Sequence, residues 1–390
     1  MELKTLEAFK KLTTDRVKEL LEKKTEGKKI IGTLCLFVPD ELIYAAGADR
    51  VILCGGRSAP IPTAERYLPR NICPLIKSTF GSVIEKKCID EPFTSGKACP
   101  HFDIVDMIIA EATCDGKKKM YELLNQYIPT FILDLPQHPQ TPSALEYWIT
   151  ELNNLKKVLE KFTGNKINSD NIKNAIQRAN ETRKLLHRMY ELRSYPNPPI
   201  SGVDAISVVQ LMHYLEEYQF QNALRNLCKE MEQSANNGKG VCTLDTPRIM
   251  ISGCPIAAGN MKVPELIENT GGIIVVEESC TGTRAFWDLV SETKAPIEAL
   301  SERYLNIPCA CMFPNEQRIK HILELVKTFK VDGVVYYTLQ FCHTYNIEKY
   351  KVQKALKNLG IPVLGIETDY DSSDVEQLKT RIQAFLEMLV

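Results

Sequence analysis

The sequence predicts an α/β protein made of two doubly wound parallel-sheet domains with a helical segment between them. Three observations carry this expectation. Short apolar runs alternate with helical patterns in both halves, as strands buried on both faces of a parallel sheet require. The same succession of strands, breaks and Ile-Pro steps occurs twice. The stretch between the copies carries apolar residues at intervals of three and four, the mark of a helix with one buried stripe.

In the first copy, Lys29 to Cys35 reads as a strand, Pro39 to Ala46 as a helix ended by Gly47, and Arg50 to Cys54 as a second strand. In the second, Arg248 to Cys254 is a strand and Val263 to Asn269 a helix; Gly271 and Gly272 break the chain before the strand Ile273 to Glu278, which leads into Cys280. Glu65-Arg66-Tyr67-Leu68 precedes Cys73, and Glu302-Arg303-Tyr304-Leu305 precedes Cys309 and Cys311. Met107 to Thr113 delivers Cys114, and Gly333 to Leu339 delivers Cys342. An Ile-Pro step then opens a last strand in each half, Thr130 to Leu133 and Val363 to Glu367. Duplication of a flavodoxin-like unit accounts for the parallel.

Between the copies, Leu145, Trp148, Leu152, Leu155, Leu159 and Phe162 form one stripe, read as core. Asn168-Ser169-Asp170 supplies cap chemistry for a second helix containing Ile172, Ile176, Ala179 and Leu186. A break at Tyr195-Pro196-Asn197-Pro198-Pro199 precedes a further helix expected from about Ala205 to Gln233, and Gly238 to Gly240 reads as a linker. The expected domains are therefore residues 1–142, 143–240 and 241–390, since 390 residues exceed the roughly 250–300 at which one core stops growing.

The formal net charge of −1 gives no electrostatic reason to expect nucleic acid or an anionic membrane as partner. No apolar run approaches a membrane span, and Met1 to Lys29 is a charged helical pattern without a signal-peptide core, so a cytoplasmic protein is expected.

Thirteen cysteines stand out. A chain of this size without a secretory signal needs no disulfides, and an odd count argues against a fully paired set. Some, such as Cys228 in a helical pattern, read as buried thiols. Cys114, Cys254, Cys280 and Cys342, by contrast, all fall where strands end, the ligand-binding rim of an open α/β sheet. Thiolates select zinc, copper(I) or iron–sulfur clusters. Zinc sites favour close Cys pairs, yet the only close pair is Cys309 and Cys311. Ferredoxin-type cysteine runs, a Cys-x-x-Cys redox pair, a phosphate-binding Gly-x-x-x-x-Gly-Lys-Ser/Thr loop and a convincing dinucleotide fingerprint are all absent. Widely spaced thiols converging between domains suit a buried cluster.

Leu68-Pro69-Arg70-Asn71-Ile72-Cys73-Pro74-Leu75-Ile76-Lys77-Ser78, Thr113-Cys114-Asp115-Gly116-Lys117-Lys118-Lys119 and Phe341-Cys342-His343-Thr344-Tyr345 resemble signatures of the 2-hydroxyacyl-CoA dehydratase superfamily. Ser252-Gly253-Cys254-Pro255, Glu278-Ser279-Cys280-Thr281-Gly282 and Pro308-Cys309-Ala310-Cys311 are similar to its double-cubane cluster branch, and the resemblance runs from about residue 30 to the C-terminus. It implies an oxygen-sensitive iron–sulfur oxidoreductase of anaerobic metabolism. Such a protein holds two 4Fe–4S cubanes joined by sulfide (8Fe–9S), takes low-potential electrons from a separate ATP-hydrolysing iron–sulfur activator, reduces a small unsaturated substrate and forms a homodimer. The resemblance carries Cys73, Cys114 and Cys342 over as ligands, then Cys254 and Cys280. Cys309 is favoured over Cys311 as the sixth, because it lies nearest the repeat partner of Cys73, and Cys99 is held in reserve. Cys35 and Cys54 also occupy repeat positions, but are read as core thiols because the first cubane already has its three ligands. His343 and Tyr345 beside Cys342, and Glu277, Glu278 and Arg284 beside Cys280, are the candidate proton donors or substrate anchors, His343, Glu278 and Arg284 foremost, with Arg284 equally able simply to pair with Glu278. Lys117-Lys118-Lys119 opposes the helix dipole at a predicted helix start. It is read as a solvated face, or as a counter-charge for a reduced cluster or an acidic partner. Two other functions remain open: a dehydratase subunit with one 4Fe–4S cluster, and a cluster carrier or activator-binding scaffold without catalysis.

Overall fold

The computed structural model describes residues 3–53, 55–85 and 100–389, so Cys54 and Cys99 lie outside the described residues. Each half forms a four-stranded parallel sheet. The first comprises β1 (Ile30–Thr33), β2 (Asp49–Ile52), β3 (Met107–Glu111) and β4 (Thr130–Leu133), in the order β2-β1-β3-β4. The second comprises β5 (Arg248–Gly253), β6 (Ile273–Glu278), β7 (Gly333–Leu339) and β8 (Val363–Thr368), in the order β6-β5-β7-β8. The repeated sequence thus folds as a repeated sheet. β1, β2, β6 and β7 are buried along their whole length, the charged Asp49, Arg50, Glu277 and Glu278 being paired with opposite charges, while β4 and β8 form half-exposed edges.

In each sheet the chain steps from the inner strand to one neighbour and then returns to the other. The strand order therefore reverses between β1 and β3, and between β5 and β7. Side chains just beyond these strands project into the crevice where open α/β sheets bind ligands.

The helical segment packs against both sheets. Helix Ala144–Thr163 buries Trp148, Leu152, Leu155 and Leu159 completely, and ends at Gly164 with a φ of 77°. Helix Ser169–Arg193 begins with a reciprocal cap. Asn171 N–H donates to Asn168 Oδ1 at 2.8 Å, and Asn168 N–H donates back to Asn171 Oδ1 at 3.2 Å. The single helix expected from about Ala205 to Gln233 is two, Gly202–Leu211 and Glu217–Asn236. The interruption turns backbone carbonyls outward. His213 O accepts from Ile52 N–H at 3.2 Å and from Arg50 Nη1 at 2.9 Å, and Tyr214 O accepts from Arg16 Nε at 2.9 Å. A continuous helix would satisfy those carbonyls internally and leave buried arginine donors unmet.

One hydrophobic core runs from the inner face of the first sheet (Ile31, Leu133) through Trp148, Leu186 and Met231 to the inner face of the second (Met250, Val276, Tyr336). Two smaller cores lie on the outer faces. Buried polar links tie the three parts together. Arg183 of the helical segment donates to Glu41 at 2.7 Å, and Tyr304 of the second half donates to the same carboxylate at 2.7 Å. Among the described residues no helix is long and apolar enough to cross a membrane.

Candidate metal centre

Eight cysteines, Cys35, Cys73, Cys114, Cys254, Cys280, Cys309, Cys311 and Cys342, line one cavity of about 310 Å³ between the two sheets. Cys35 and Cys114 follow β1 and β3, and Cys254 and Cys342 follow β5 and β7, so both strand-order reversals open on the same space. Cys280 follows β6. Cys73, Cys309 and Cys311 come from loops. Every ligand named from the sequence, apart from the reserve Cys99, lines this cavity. Cys35 does too, although it was expected to be a core thiol. Its place at the end of β1, opposite Cys114, puts it at the reversal point rather than within the sheet.

Three of the cysteines occupy helix N-caps: Cys73 before Pro74–Ile84, Cys114 before Asp115–Leu124, and Cys342 before His343–Lys357. Their sulfurs therefore lie against free backbone N–H groups at the positive end of a helix, where anions are stabilised. Backbone amides donate to sulfur throughout the site: Leu75 and Ile76 to Cys73, Lys117 to Cys114, Tyr345 to Cys342, Leu36 to Cys35, and Cys311 to Cys309. Leu339 N–H donates to Cys254 Sγ at 3.5 Å.

The thiols fall into two groups. Cys342 is hydrogen-bonded to Cys254 and to Cys73, and these bonds pull its thiol down to about 4. Across the cavity, Cys280 bonds Cys309 and Cys35, and Cys309 also bonds Cys311. The bond from Cys280 lowers Cys35 to about 6 and, together with Cys311, holds Cys309 well below its ordinary value. Burial raises Cys114, which lies within electrostatic reach of both Cys342 and Cys309. Cys254 shares its contacts with Cys73 and Cys342.

Among the described residues no three His, Cys, Asp or Glu converge on one metal-ion position. A polynuclear centre, in which each thiolate binds a different metal atom, can take up the sulfurs of eight cysteines lining one cavity, more than the four that a single zinc ion binds. Two soft-donor groups backed by amide N–H···S bonds fit iron–sulfur clusters, whose potentials depend on those bonds.

Of the candidate proton donors, His343 lines the cavity at the start of its helix. Glu278 and Arg284 do not line it. They form a fully buried ion pair at 2.9 Å, and Arg318 adds a second contact to Glu278 at 2.8 Å. Arg284 also donates to Tyr345 Oη, and this hydroxyl, on the cavity wall, stands 3.8 Å from Cys309 Sγ. The fold separates three lysines that are equivalent in the sequence. Lys118 pairs with Asp115 at 2.9 Å and Lys119 with Glu122 at 2.7 Å. Lys117 turns inward, donates to Leu34 O at 3.2 Å and lies 3.5 Å from the buried Glu111. Glu111 was not singled out from sequence. Burial, reinforced by Cys35, holds its carboxyl well above the usual range. Its signal was an acidic residue at the end of an otherwise apolar strand.

Residues 35–389 match the family model described as 2-hydroxyglutaryl-CoA dehydratase, D-component. YjiM of Escherichia coli (strain K12), provisionally described as a dehydratase subunit, is 38% identical over 377 residues, covering 95% of this chain and 94% of that protein. The (R)-phenyllactyl-CoA dehydratase beta subunit of Clostridium sporogenes is 25% identical, covering 93% of this chain and 92% of its own length. A benzoyl-CoA reductase subunit of Thauera aromatica is 23% identical, covering 93% and 91%. The relatives thus include both a dehydratase and a reductase.

Proposed function

Because the chain belongs to the 2-hydroxyglutaryl-CoA dehydratase, D-component family, we propose that it is an iron–sulfur reductase holding two linked 4Fe–4S cubanes. It receives low-potential electrons from a separate ATP-hydrolysing iron–sulfur protein and reduces a small unsaturated substrate. The observation that carries this reading is the number and division of the thiols. Three would hold one cubane with an open iron, whereas eight line this cavity, seven of them in two hydrogen-bonded groups with Cys114 within electrostatic reach of both. Six of the eight suffice for a sulfide-bridged pair. Cys73, Cys114, Cys254 and Cys342 supply one side, and Cys35, Cys280, Cys309 and Cys311 the other.

When bound, the clusters supply single low-potential electrons that can be delivered in pairs. The chain does the remaining work. Helix N-termini and backbone amides hold the anionic sulfurs. Ile72, Leu75, Ile76 and Leu339 line the cavity with apolar surface and exclude water. His343 stands on the wall as the residue placed to hold a proton for the substrate. A homodimer in the cytoplasm is part of the same proposal, supported by the family resemblance alone.

A second reading is a dehydratase subunit with a single cluster held by Cys73, Cys114 and Cys342, favoured by the names of the phenyllactyl-CoA relative and of the family model. Iron and acid-labile sulfide per chain, measured on anaerobically purified protein and on Cys280→Ala, decide between the two. About eight irons, falling in the variant, support two cubanes; about four, unchanged in the variant, leave the single-cluster enzyme.

A further inference from the structure

We infer that the Arg284–Tyr345 pair, reinforced by Lys117, makes the Cys35–Cys280–Cys309–Cys311 side of the cavity the electron-accepting side, so that the two halves of the centre reduce at different potentials. The inference rests on the two-cubane reading and assigns its two sides unequal roles.

Among the described residues lining the cavity, Lys117 is the only lysine or arginine. Its ammonium is fixed by Leu34 O, the carbonyl next to Cys35. Glu111, 3.5 Å from that ammonium, is fully buried and does not line the cavity, although it hydrogen-bonds Cys35 from behind the wall, so of the pair it is Lys117 that lines the cavity itself.

The opposite wall repeats the device with a different residue. Arg284 is fully buried and paired with Glu278, which also lies behind the cavity wall. Because Arg284 donates to Tyr345 Oη, the phenol's own hydrogen is free to point at Cys309 Sγ, 3.8 Å away. A cation-polarised O–H donor and an ammonium therefore face the same group of thiols. The sulfurs of Cys73, Cys254 and Cys342 receive backbone amides and contacts from one another, with no cationic side chain among their principal partners. Lys117 also neighbours Cys114, so the Tyr345 hydroxyl is the more one-sided of the two devices.

Adding an electron makes the cluster more anionic, and hydrogen bonds to sulfur and nearby cations favour that state. An electron from a one-electron donor should therefore settle on the Cys309 side, with the other side reduced second, at lower potential.

The test is a redox titration of the iron-loaded protein with titanium(III) citrate, followed by electron paramagnetic resonance. It compares the unmodified chain with Tyr345→Phe and Lys117→Met, with iron counted in each sample. The expected result is two one-electron steps. In Tyr345→Phe the higher potential should fall by at least a tenfold change in reduction equilibrium, 59 mV for a one-electron couple, and the lower should move less than half as far. Lys117→Met, which removes an ammonium beside both Cys35 and Cys114, should lower both steps, and Lys117→Arg should restore them. Should Tyr345→Phe lose iron, Tyr345→Leu takes its place. With eight irons retained in the Tyr345 variant, equal shifts of both steps, a shift of the lower step only, or no shift overturn the inference and leave the two-cubane reading standing. A chain that binds no more than four irons overturns both.

Discussion

Arg193 donates from Nη1 to Glu277 Oε2 at 3.0 Å, and both side chains are completely shielded from solvent. Arg193 ends the long central helix and Glu277 lies in β6, with Tyr190 also donating to the same carboxylate. The pair therefore fixes the helical segment to the strand that delivers Cys280.

Arg193→Met should destabilise the protein by about 3–5 kcal/mol, because it leaves Glu277 charged and buried without its partner. Urea unfolding of the metal-free chain measures this directly. A loss below about 1 kcal/mol would mean that Glu277 finds another partner or becomes protonated.

Gly253 has a φ of 135°, and a Cβ there would stand 2.0 Å from Tyr337 O. Gly253→Ala should push β5 away from β7 just before Cys254. The expected outcome is about 1–3 kcal/mol of lost stability, from backbone strain, together with reduced iron binding. Full iron occupancy in a stable variant would show that Cys254 does not depend on this close approach.

Cys228 lies in helix Glu217–Asn236, and its Sγ donates to Leu185 O at 3.7 Å, away from the cavity. Cys228→Ser should leave iron content unchanged, whereas Cys342→Ser should lower it, because Cys342 joins Cys254 and Cys73. Iron and sulfide counts on both variants, purified in parallel, check the contrast.

His101 and His213 are buried, and burial keeps both rings neutral. His101 is lowered to about 3, with Arg16 as a further cause, and His213 well below its ordinary value, with Arg50 as a further cause. The unfolded rings titrate near 6.5, so stability is complete above that pH. Below it the unfolded chain binds protons that the folded chain refuses, and stability declines as the pH falls towards 3. Each ring contributes a slope of about 1.4 kcal/mol per pH unit. His101→Phe, which keeps the stack on Tyr214, should shrink the loss between pH 7 and pH 5 by about 2 kcal/mol, measured by urea midpoints at the two values. An unchanged loss would show that His101 is protonated in the fold.

The sequence by itself determined the α/β class, the repeated strand order and the apolar stripe of helix Ala144–Thr163, because strand burial and helical periodicity are properties of neighbouring residues. It also determined that strand ends deliver cysteines, since their position along the chain is set locally. The break between Gly202–Leu211 and Glu217–Asn236 was hidden, because the carbonyls it frees are claimed by Arg50, Ile52 and Arg16, distant in sequence. The matching Glu-Arg-Tyr-Leu segments held no hint of their divergence, with Tyr67 exposed and Tyr304 buried on Glu41. Only the tertiary structure decided which thiols meet. It placed Cys35 in the cavity, set Cys254 beside Cys342, withdrew Glu278 and Arg284 behind the wall, and turned Lys117 inward while its neighbours faced solvent. Those outcomes depend on how two sheets face each other across a helical segment, a relation between distant surfaces that no local pattern encodes.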